Sequence, residues 1–393
     1  MVKKTFFSLH NNIHEHDNSD DNNHALEQLF HINDVLHKHL VHFKNKITEH
    51  HKTKKWDRYK KHTNDYELVF TSSQGCPSIA SHNPISRSYF KLWEIMHDLR
   101  TCEDETDVKA AFLADAPGGF VEAFIDYRRN LLKARNIPYG DKLYAISLKA
   151  TNRIIPQWKF GHEFCMKNNV MITYGKSGTG DLYDISVLDD FISTVGPKSC
   201  KFITADGGFD FSKDFNAQEN MSTRLIISEM YTALSLQAPH GMLILKVFDI
   251  HQPVTIQLLF ILSTAYTKLH FIKPLSSRPA NSEKYIVCEG YKGCSQHSMR
   301  VLRDAILQKY PTPLNITPNV SFVASIIEFN HMYISCQALY ICKTLDMIEN
   351  ECSGMLSKVV QNQVTKAVKW CHKYKISVAL DAIRHYRPFF PLM

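Results

Sequence analysis

Long apolar runs are missing from this chain. The best candidate, Val254–Ala265, carries Thr255, Gln257, Ser263 and Thr264. It is shorter than the ~18–20 residues a membrane-spanning helix needs, so no membrane partner is expected. The opening MVKKTFFSLHNNIHEHD has basic residues but no apolar stretch of the kind a secretory signal carries. Paired cysteines are missing too: the 10 cysteines, at positions 76, 102, 165, 200, 288, 294, 336, 342, 352 and 371, include no CxxC. Zinc sites and disulfide frameworks need paired spacing, so these residues read as reduced thiols, many of them core fillers. A soluble protein of a reducing compartment is expected, cytoplasmic, with a nuclear place left open. No internal repeat is present. With 44% hydrophobic and 22% charged residues, collagen, coiled coil and wholesale disorder are excluded. At ~100–200 residues per domain, 393 residues make two or three domains, or one large domain with extensions.

Charge is present but concentrated. Lys plus Arg is 46 and Asp plus Glu is 39, a net +7. Between Val41 and Lys61 stand Lys44, Lys46, Lys52, Lys54, Lys55, Arg58, Lys60 and Lys61 against Glu49 and Asp57, which accounts for +6 of that total. A basic segment attracts nucleic acid by counterion release; a solvated helix face is the competing reading. Histidine is crowded into the same region, with 11 of 21 in the first 62 residues. Only His10 and His14 of these have i, i+4 spacing, so an exposed polar arm is favoured over a metal cluster. Such an arm gains positive charge as pH falls toward ~6.5.

Residues 1–24 are polar with little apolar pattern and are expected to be a disordered tail. Residues 25–84 form a basic, His- and Lys-rich extension in which Leu26, Leu29, Ile32, Val35, Leu36, Leu40, Phe43 and Ile47 recur at helical spacing. Helix is predicted again for ISRSYFKLWEIMHDLR (85–100). From Ala110 to about Lys292 short apolar runs alternate with helical stretches: AAFLA, KLYAISL, NVMITY, KFITA, GMLILKVF, KLHFIKP and EKYIVCEGY are the strand candidates. That alternation predicts an α/β domain with a mostly parallel sheet. The last two runs are joined without a helix, so they must pair in opposite directions and give one antiparallel edge. Residues 293–393 read as a helical extension, with Val301–Lys309, Met332–Asn350 and Val359–Lys373 as its helices.

The first strand runs into Asp115-Ala116-Pro117-Gly118-Gly119-Phe120 and then a helix. Glycine there permits a tight turn and close approach of a ligand. The sequence is not GxGxxG, and Pro117 removes a donor, so a pyrophosphate cradle is disfavoured. An acidic residue at the strand end suits a cationic ligand such as S-adenosylmethionine; a plain strand-to-helix turn is the alternative. Asp206 ends the KFITA strand, Lys246 lies among Leu243, Ile244, Leu245, Val247 and Phe248, and Glu283 begins the last strand. Ligands bind at the carboxyl ends of parallel strands, and an antiparallel final strand starts on that same rim, so these three can converge. Burial lowers a lysine pKa and nearby carboxylates raise it; Lys246 is either a salt-bridged structural residue or a base or charge clamp beside a reacting hydroxyl.

These segments resemble the FtsJ/RrmJ-like S-adenosylmethionine-dependent RNA ribose 2′-O-methyltransferases, and within them the mRNA cap-specific branch. The resemblance rests on SRSYFKLWEI (86–95), LADAPGGFVEAF (113–124), GDLYD (180–184), TADGGFDFS (204–212), LILKVFD (243–249) and KPLSSRPANSEKYIVCEG (273–290). It implies a Rossmann-like fold for 85–292, a mostly parallel seven-stranded sheet with an antiparallel edge strand, and S-adenosylmethionine as cofactor. It implies a catalytic Lys-Asp-Lys-Glu tetrad of Lys91, Asp206, Lys246 and Glu283. Cofactor contacts fall on Asp115, Pro117, Gly118, Gly119, Phe120, Asp206 and, toward the adenine, Asp181. Many relatives have an acidic residue for the cofactor ribose after the second strand; this sequence reads ISLKAT, so that contact is unassigned. The flanks resemble extensions on cap methyltransferases of large cytoplasmic DNA viruses.

The implied reaction is in-line transfer of the sulfonium methyl to a ribose 2′-oxygen of single-stranded RNA, on a capped mRNA 5′ end. Arg87, Arg278 and the basic 44–61 segment are the expected phosphate contacts, and Tyr89, Trp93 and Phe209 are stacking or core residues. A ribosomal or transfer RNA 2′-O-methyltransferase, and a non-catalytic RNA-binding subunit that keeps the fold, are the competing functions.

Overall fold

Apolar runs uninterrupted by polar residues become strands covered on both faces. The computed structural model describes residues 6–10, 20–51, 53–71, 75–152, 155–209, 211, 214–308, 314–350 and 356–389. Its strands are β1 (Phe6–His10), β2 (Lys109–Leu113), β3 (Lys142–Ile146), β4 (Val170–Thr173), β5 (Cys200–Ala205), β6 (Gln237–Val247), β7 (Tyr266–Ile272) and β8 (Lys284–Tyr291). They form one sheet in the order β1-β7-β8-β6-β5-β2-β3-β4. The helices are α1 (Asp20–His51), α2 (Lys55–Tyr59), α3 (Ser88–Leu99), α4 (Gly119–Ala134), α5 (His162–Lys167), α6 (Ile185–Val195), α7 (Gln218–Leu236), α8 (Pro253–Ala265), α9 (Gln296–Leu307), α10 (Val320–Glu349), α11 (Leu356–Lys373) and α12 (Leu380–Tyr386).

Alternate residues of each central strand enter different cores. Ala111, Leu113, Ile203 and Leu243 pack with Phe191 of α6, Met230 of α7, Leu258 of α8 and Phe329 of α10. Ala110, Phe112, Phe202 and Ile244 pack with Phe90 of α3, Phe124 of α4 and Trp370 of α11. The register keeps this in step across the sheet: Ala111 pairs with Tyr144 and Ile203, and Ile203 with Leu243. The chain leaves β2 toward β3 and β4, then returns to β5 on the other side of β2. Such a reversal opens a crevice at the carboxyl ends of the strands.

All seven predicted strands are present. The antiparallel one is β8, which pairs with both β6 and β7. It lies inside the sheet, between β6 and β7, and β1 adds an eighth, antiparallel strand outside β7. Thus Phe6–His10, read from sequence as part of a disordered tail, is a strand. Five residues are too few for a periodic signal, and the pairing partner is some 260 positions away. Residues 20–24, also read as part of that tail, begin α1, and the remainder of the tail lies outside the described residues.

The extensions pack on the domain. α1 and α10 lie side by side through buried Asn33 and Asn330: Asn330 Nδ2 donates to Asn33 Oδ1 (2.8 Å) and to the Ile250 carbonyl (2.5 Å), and Asn33 Nδ2 donates to the His251 carbonyl (3.1 Å). α10 starts twelve residues before the expected Met332, where the Asn319 side chain accepts the Phe322 N–H (2.8 Å) and caps it.

The basic segment is not a uniform solvated face. Lys44 is 2% exposed and donates to Asp249 Oδ2 at 2.5 Å, which ties α1 to the turn after β6. Despite its burial, Asp249 is held well below the usual carboxylate range by Lys44 and Lys284. Lys46, Lys54, Lys55 and Arg58 remain exposed, and Lys52 lies outside the described residues. His37 departs from the exposed-arm reading: it stacks on His251 at 3.3 Å, and burial lowers it to about 4. Removing one partner of a buried pair strands the other charge. Lys44→Ala should therefore cost about 3 kcal/mol, read as a lower midpoint of denaturant unfolding with an unchanged slope.

Candidate active site

The turn after β2 is built around its own carboxylate. Asp115 accepts the Phe120 N–H (3.1 Å) and the Val121 N–H (2.9 Å), satisfying two free amides at the start of α4. The residue is buried, and burial together with neighbouring Asp206 raises its pKa. Both its oxygens are thus engaged by the helix start. Gly118 has φ +113°, and a Cβ there would strike the Phe160 ring. A Cβ on Gly119 would strike the Ser86 and Ser88 hydroxyls, so the absence of a side chain there lets the start of α4 lie close against the start of α3.

A cavity of about 770 Å³ opens beside this turn, at the carboxyl ends of β2, β3, β5 and β6. Asp115, Pro117, Asp181, Asp206, Lys246 and Glu283 all line it. Lys246 Nζ donates to the Asp206 carbonyl (2.6 Å) and lies 3.2 Å from Asp206 Oδ1. Lys91, from α3, lies 2.7 Å and 2.8 Å from the two oxygens of Glu283. The two ion pairs share one corner: burial works against the Lys246 ammonium, but Asp206, Glu283 and Glu229 overcome it and hold the pKa above the usual lysine value. Burial likewise works against the Glu283 carboxylate, but Lys91, Lys246 and Lys273 hold it well below the usual range. The competition that the sequence left open is therefore won by the carboxylates, and Lys246 is an ammonium.

Other predicted residues are placed differently. Asp181 lines the cavity, its Oδ1 accepting the Tyr183 N–H (2.9 Å). Ser147, just past β3, lines the wall where the ribose contact was unassigned. Arg87 and Arg278 share one buried acceptor from the N-terminal extension, Glu67: Arg278 grips it with two bonds (3.0 and 2.7 Å), and Arg87 lies 3.2 Å from it while donating to the Ser276 carbonyl (2.9 Å). Tyr89 and Trp93 are core residues. Phe209 is 39% exposed and lines the cavity.

Sequence reasoning missed Tyr285, Ser277 and Glu229. Tyr285 donates to Asp206 Oδ1 (3.0 Å) and Ser277 to Glu283 Oε1 (2.8 Å). Glu229, 1% exposed, accepts the Gly207 N–H (3.1 Å), and a Cβ on Gly207 would collide with its Oε1. Its signal was readable: a carboxyl among Ile226, Ile227 and Met230, the same anomaly that drew attention to Lys246.

The FtsJ-like methyltransferase profile matches residues 84–291, more than half of the chain. The chain belongs to the FtsJ-like methyltransferase family. Among its relatives, the cap-specific mRNA (nucleoside-2′-O-)-methyltransferase 1 of Trypanosoma cruzi (strain CL Brener) is 30% identical over 237 residues, covering 58% of this chain and 61% of that protein. The protein of that name from Danio rerio is 32% identical over 185 residues, 45% of this chain and 21% of its own. The one from Trypanosoma brucei brucei (strain 927/4 GUTat10.1) is 36% identical over 121 residues, 30% of this chain and 33% of its own. The chain thus spans less than two thirds of the length of each.

The methyl donor of an FtsJ-like methyltransferase is S-adenosylmethionine, and the cavity fits it. Its volume is that of a small-molecule site, Ala116 and Pro117 of the turn lie in its wall, and the carboxylates of Asp206 and Asp181 both line it. The residues that would hold the cofactor are therefore Pro117, Ser147, Asp181 and Asp206, whereas the expected contacts Gly118, Gly119 and Phe120 are buried and do not line the cavity. Among the described residues no helix is long and apolar enough to cross a membrane.

Burial pushes Glu229 up to about 8, against the Lys246 charge that lowers it. A raised carboxyl pKa means the folded state keeps a proton that the unfolded state has lost, so this group subtracts stability as pH rises from its unfolded value of 4.5 to about 8. Glu229→Gln keeps the acceptor for Gly207 and removes the titration. Its melting temperature should gain on that of the unmodified chain between pH 5 and 8, and parallel curves would refute the assignment.

Proposed function

We propose that the chain is an RNA ribose 2′-O-methyltransferase acting on the first transcribed nucleotides of capped mRNA. The observation that carries this reading is that Asp206, Lys246 and Glu283 line one cavity beside the glycine turn, with Lys246 paired to Asp206 and Lys91 paired to Glu283 from behind the lining. The names of the relatives supply the substrate class.

In this reading Lys91, Asp206, Lys246 and Glu283 are the catalytic residues. Bound S-adenosylmethionine supplies an activated methyl group on a sulfonium. The ribose 2′-oxygen lies against the Lys246 ammonium, which stabilises negative charge on that oxygen as its proton departs to water. Asp206, itself fixed by Tyr285, orients Lys246. Glu283 with Lys91 grips the ribose. Positioning of this kind supplies most of the rate, since effective molarities reach ~10⁵ M and above. Phe209 offers a face on which an unpaired base stacks, and the exposed Lys46, Lys54, Lys55 and Arg58 offer charge to the RNA backbone.

Lys246→Ala should abolish methyl transfer, while calorimetric affinity for S-adenosylhomocysteine stays within a few-fold; near-normal turnover in the variant would remove the tetrad roles. The substrate is tested with matched short RNAs bearing a 5′-triphosphate, an unmethylated cap or an N7-methylated cap, followed by nuclease mapping. Cap-dependent methylation at the first nucleotides is expected. Transfer indifferent to the cap would favour a ribosomal or transfer RNA substrate, and cofactor binding with no transfer would favour a non-catalytic RNA-binding subunit.

A further inference from the structure

Glu283 is held at both its ends. Lys91 and Ser277 hold its carboxylate. Its main chain is held from the opposite side by buried groups for which the proposed chemistry has no use. Lys273, 6% exposed, donates to the carbonyls of Asn281 (2.8 Å) and Glu283 (2.6 Å) and to the Asn281 side-chain oxygen. Tyr333, buried on α10, donates from its hydroxyl to the same two carbonyls (3.0 and 3.3 Å). One turn further along α10, Gln337 Nε2 donates to the Ala280 carbonyl (3.3 Å) and to Ser282 Oγ (3.1 Å). The Tyr333 ring also lies under the Lys284 ammonium, 4.1 Å from its centroid.

This is an expensive way to tie down a loop. A lysine taken out of water gives up its hydration, and burial pushes the Lys273 pKa well below the usual lysine value, so its nitrogen is spent on three hydrogen bonds to this one loop. What the polar grip adds is a fixed place and direction for the two carbonyls on either side of Ser282, and so for the side chain that leaves the chain at 283.

We propose that Tyr333 is a positioning residue for methyl transfer: its hydroxyl, with the Lys273 side-chain nitrogen, sets the main chain at 281–283 and thereby the placement of the Glu283 carboxylate against Lys91 and the substrate ribose. This gives α10, which lies outside the family match at 84–291, a part in the reaction. The inference rests on the role of Glu283 in the function proposed above.

The test is Tyr333→Phe in the full chain, which keeps the ring beneath Lys284 and removes only the hydroxyl. Turnover is measured on the capped RNA at saturating cofactor, together with the KM for RNA and the calorimetric affinity and stoichiometry for S-adenosylhomocysteine. The kcat should fall about tenfold, as expected for a displaced catalytic group, with the KM for RNA, the affinity and the stoichiometry each within threefold of the unmodified chain. In a Glu283→Asp background, where the carboxylate is already displaced, the same substitution should cost less than a further twofold. An unchanged kcat overturns the proposal. So does a fall in cofactor stoichiometry that matches the fall in kcat, because that marks general unfolding. A full tenfold loss repeated in the Glu283→Asp background also overturns it, because Tyr333 would then act elsewhere. An unmodified chain that methylates none of the RNAs removes the proposed function, and this inference with it; an active chain beside an unaffected variant removes this inference alone.

Discussion

Two lysines and two carboxylates, drawn from four separate segments and each only 11–15% exposed at its side chain, meet as two adjoining ion pairs. Each is unfavourable there alone, and each is made tolerable by the others: Lys91 by Glu283, Lys246 by Asp206, and the two pairs by their mutual proximity. Buried pairs of this type contribute little net stability relative to apolar residues. Their value lies in fixing charge in direction before a substrate arrives. The rest of the fold can be understood as the apparatus that brings these four groups together and keeps them from moving apart.

The sheet does the first part. Asp206 and Lys246 stand at or near the ends of adjacent parallel strands in register, and β8 runs backward so that Glu283 begins where Lys246 ends. The outer layers do the second. α3 brings Lys91, and its Glu94 accepts the Leu275 and Ser276 amides at 2.8 and 2.7 Å. Glu67 of the N-terminal extension gathers Arg87 and Arg278 around the same loop. α1 and α10 together hold the turn at 249–251 through Lys44, Asn33 and Asn330. Segments that share no sequence pattern with the domain thus reach the main chain around both pairs.

Much of this could be read before any coordinates. Strands buried on both faces betray themselves as apolar runs, and a charged residue inside such a run, Lys246, has few explanations. The turn at 115–120 and the acidic residue ending β5 were legible for the same reason: their local chemistry is unusual. What escaped was pairwise and distant. Nothing near Lys44 in sequence announces Asp249, and nothing near Arg87 or Arg278 announces Glu67, so cations counted as free for RNA turn out to be engaged within the fold. Asp115 read as facing a ligand because the amides it caps are not visible until the helix start is known. Glu229 escaped through neglect of a signal that was there.

Phe6–His10 has a bearing on how separate molecules behave toward each other. By zipping onto β7 it conceals a row of main-chain donors and acceptors that would otherwise lie open. At the opposite rim stands β4, only four residues long. A bare flank that brief gives a passing extended peptide little to grasp, and the row that β1 leaves open on its outer side is five residues long against the seven of β7.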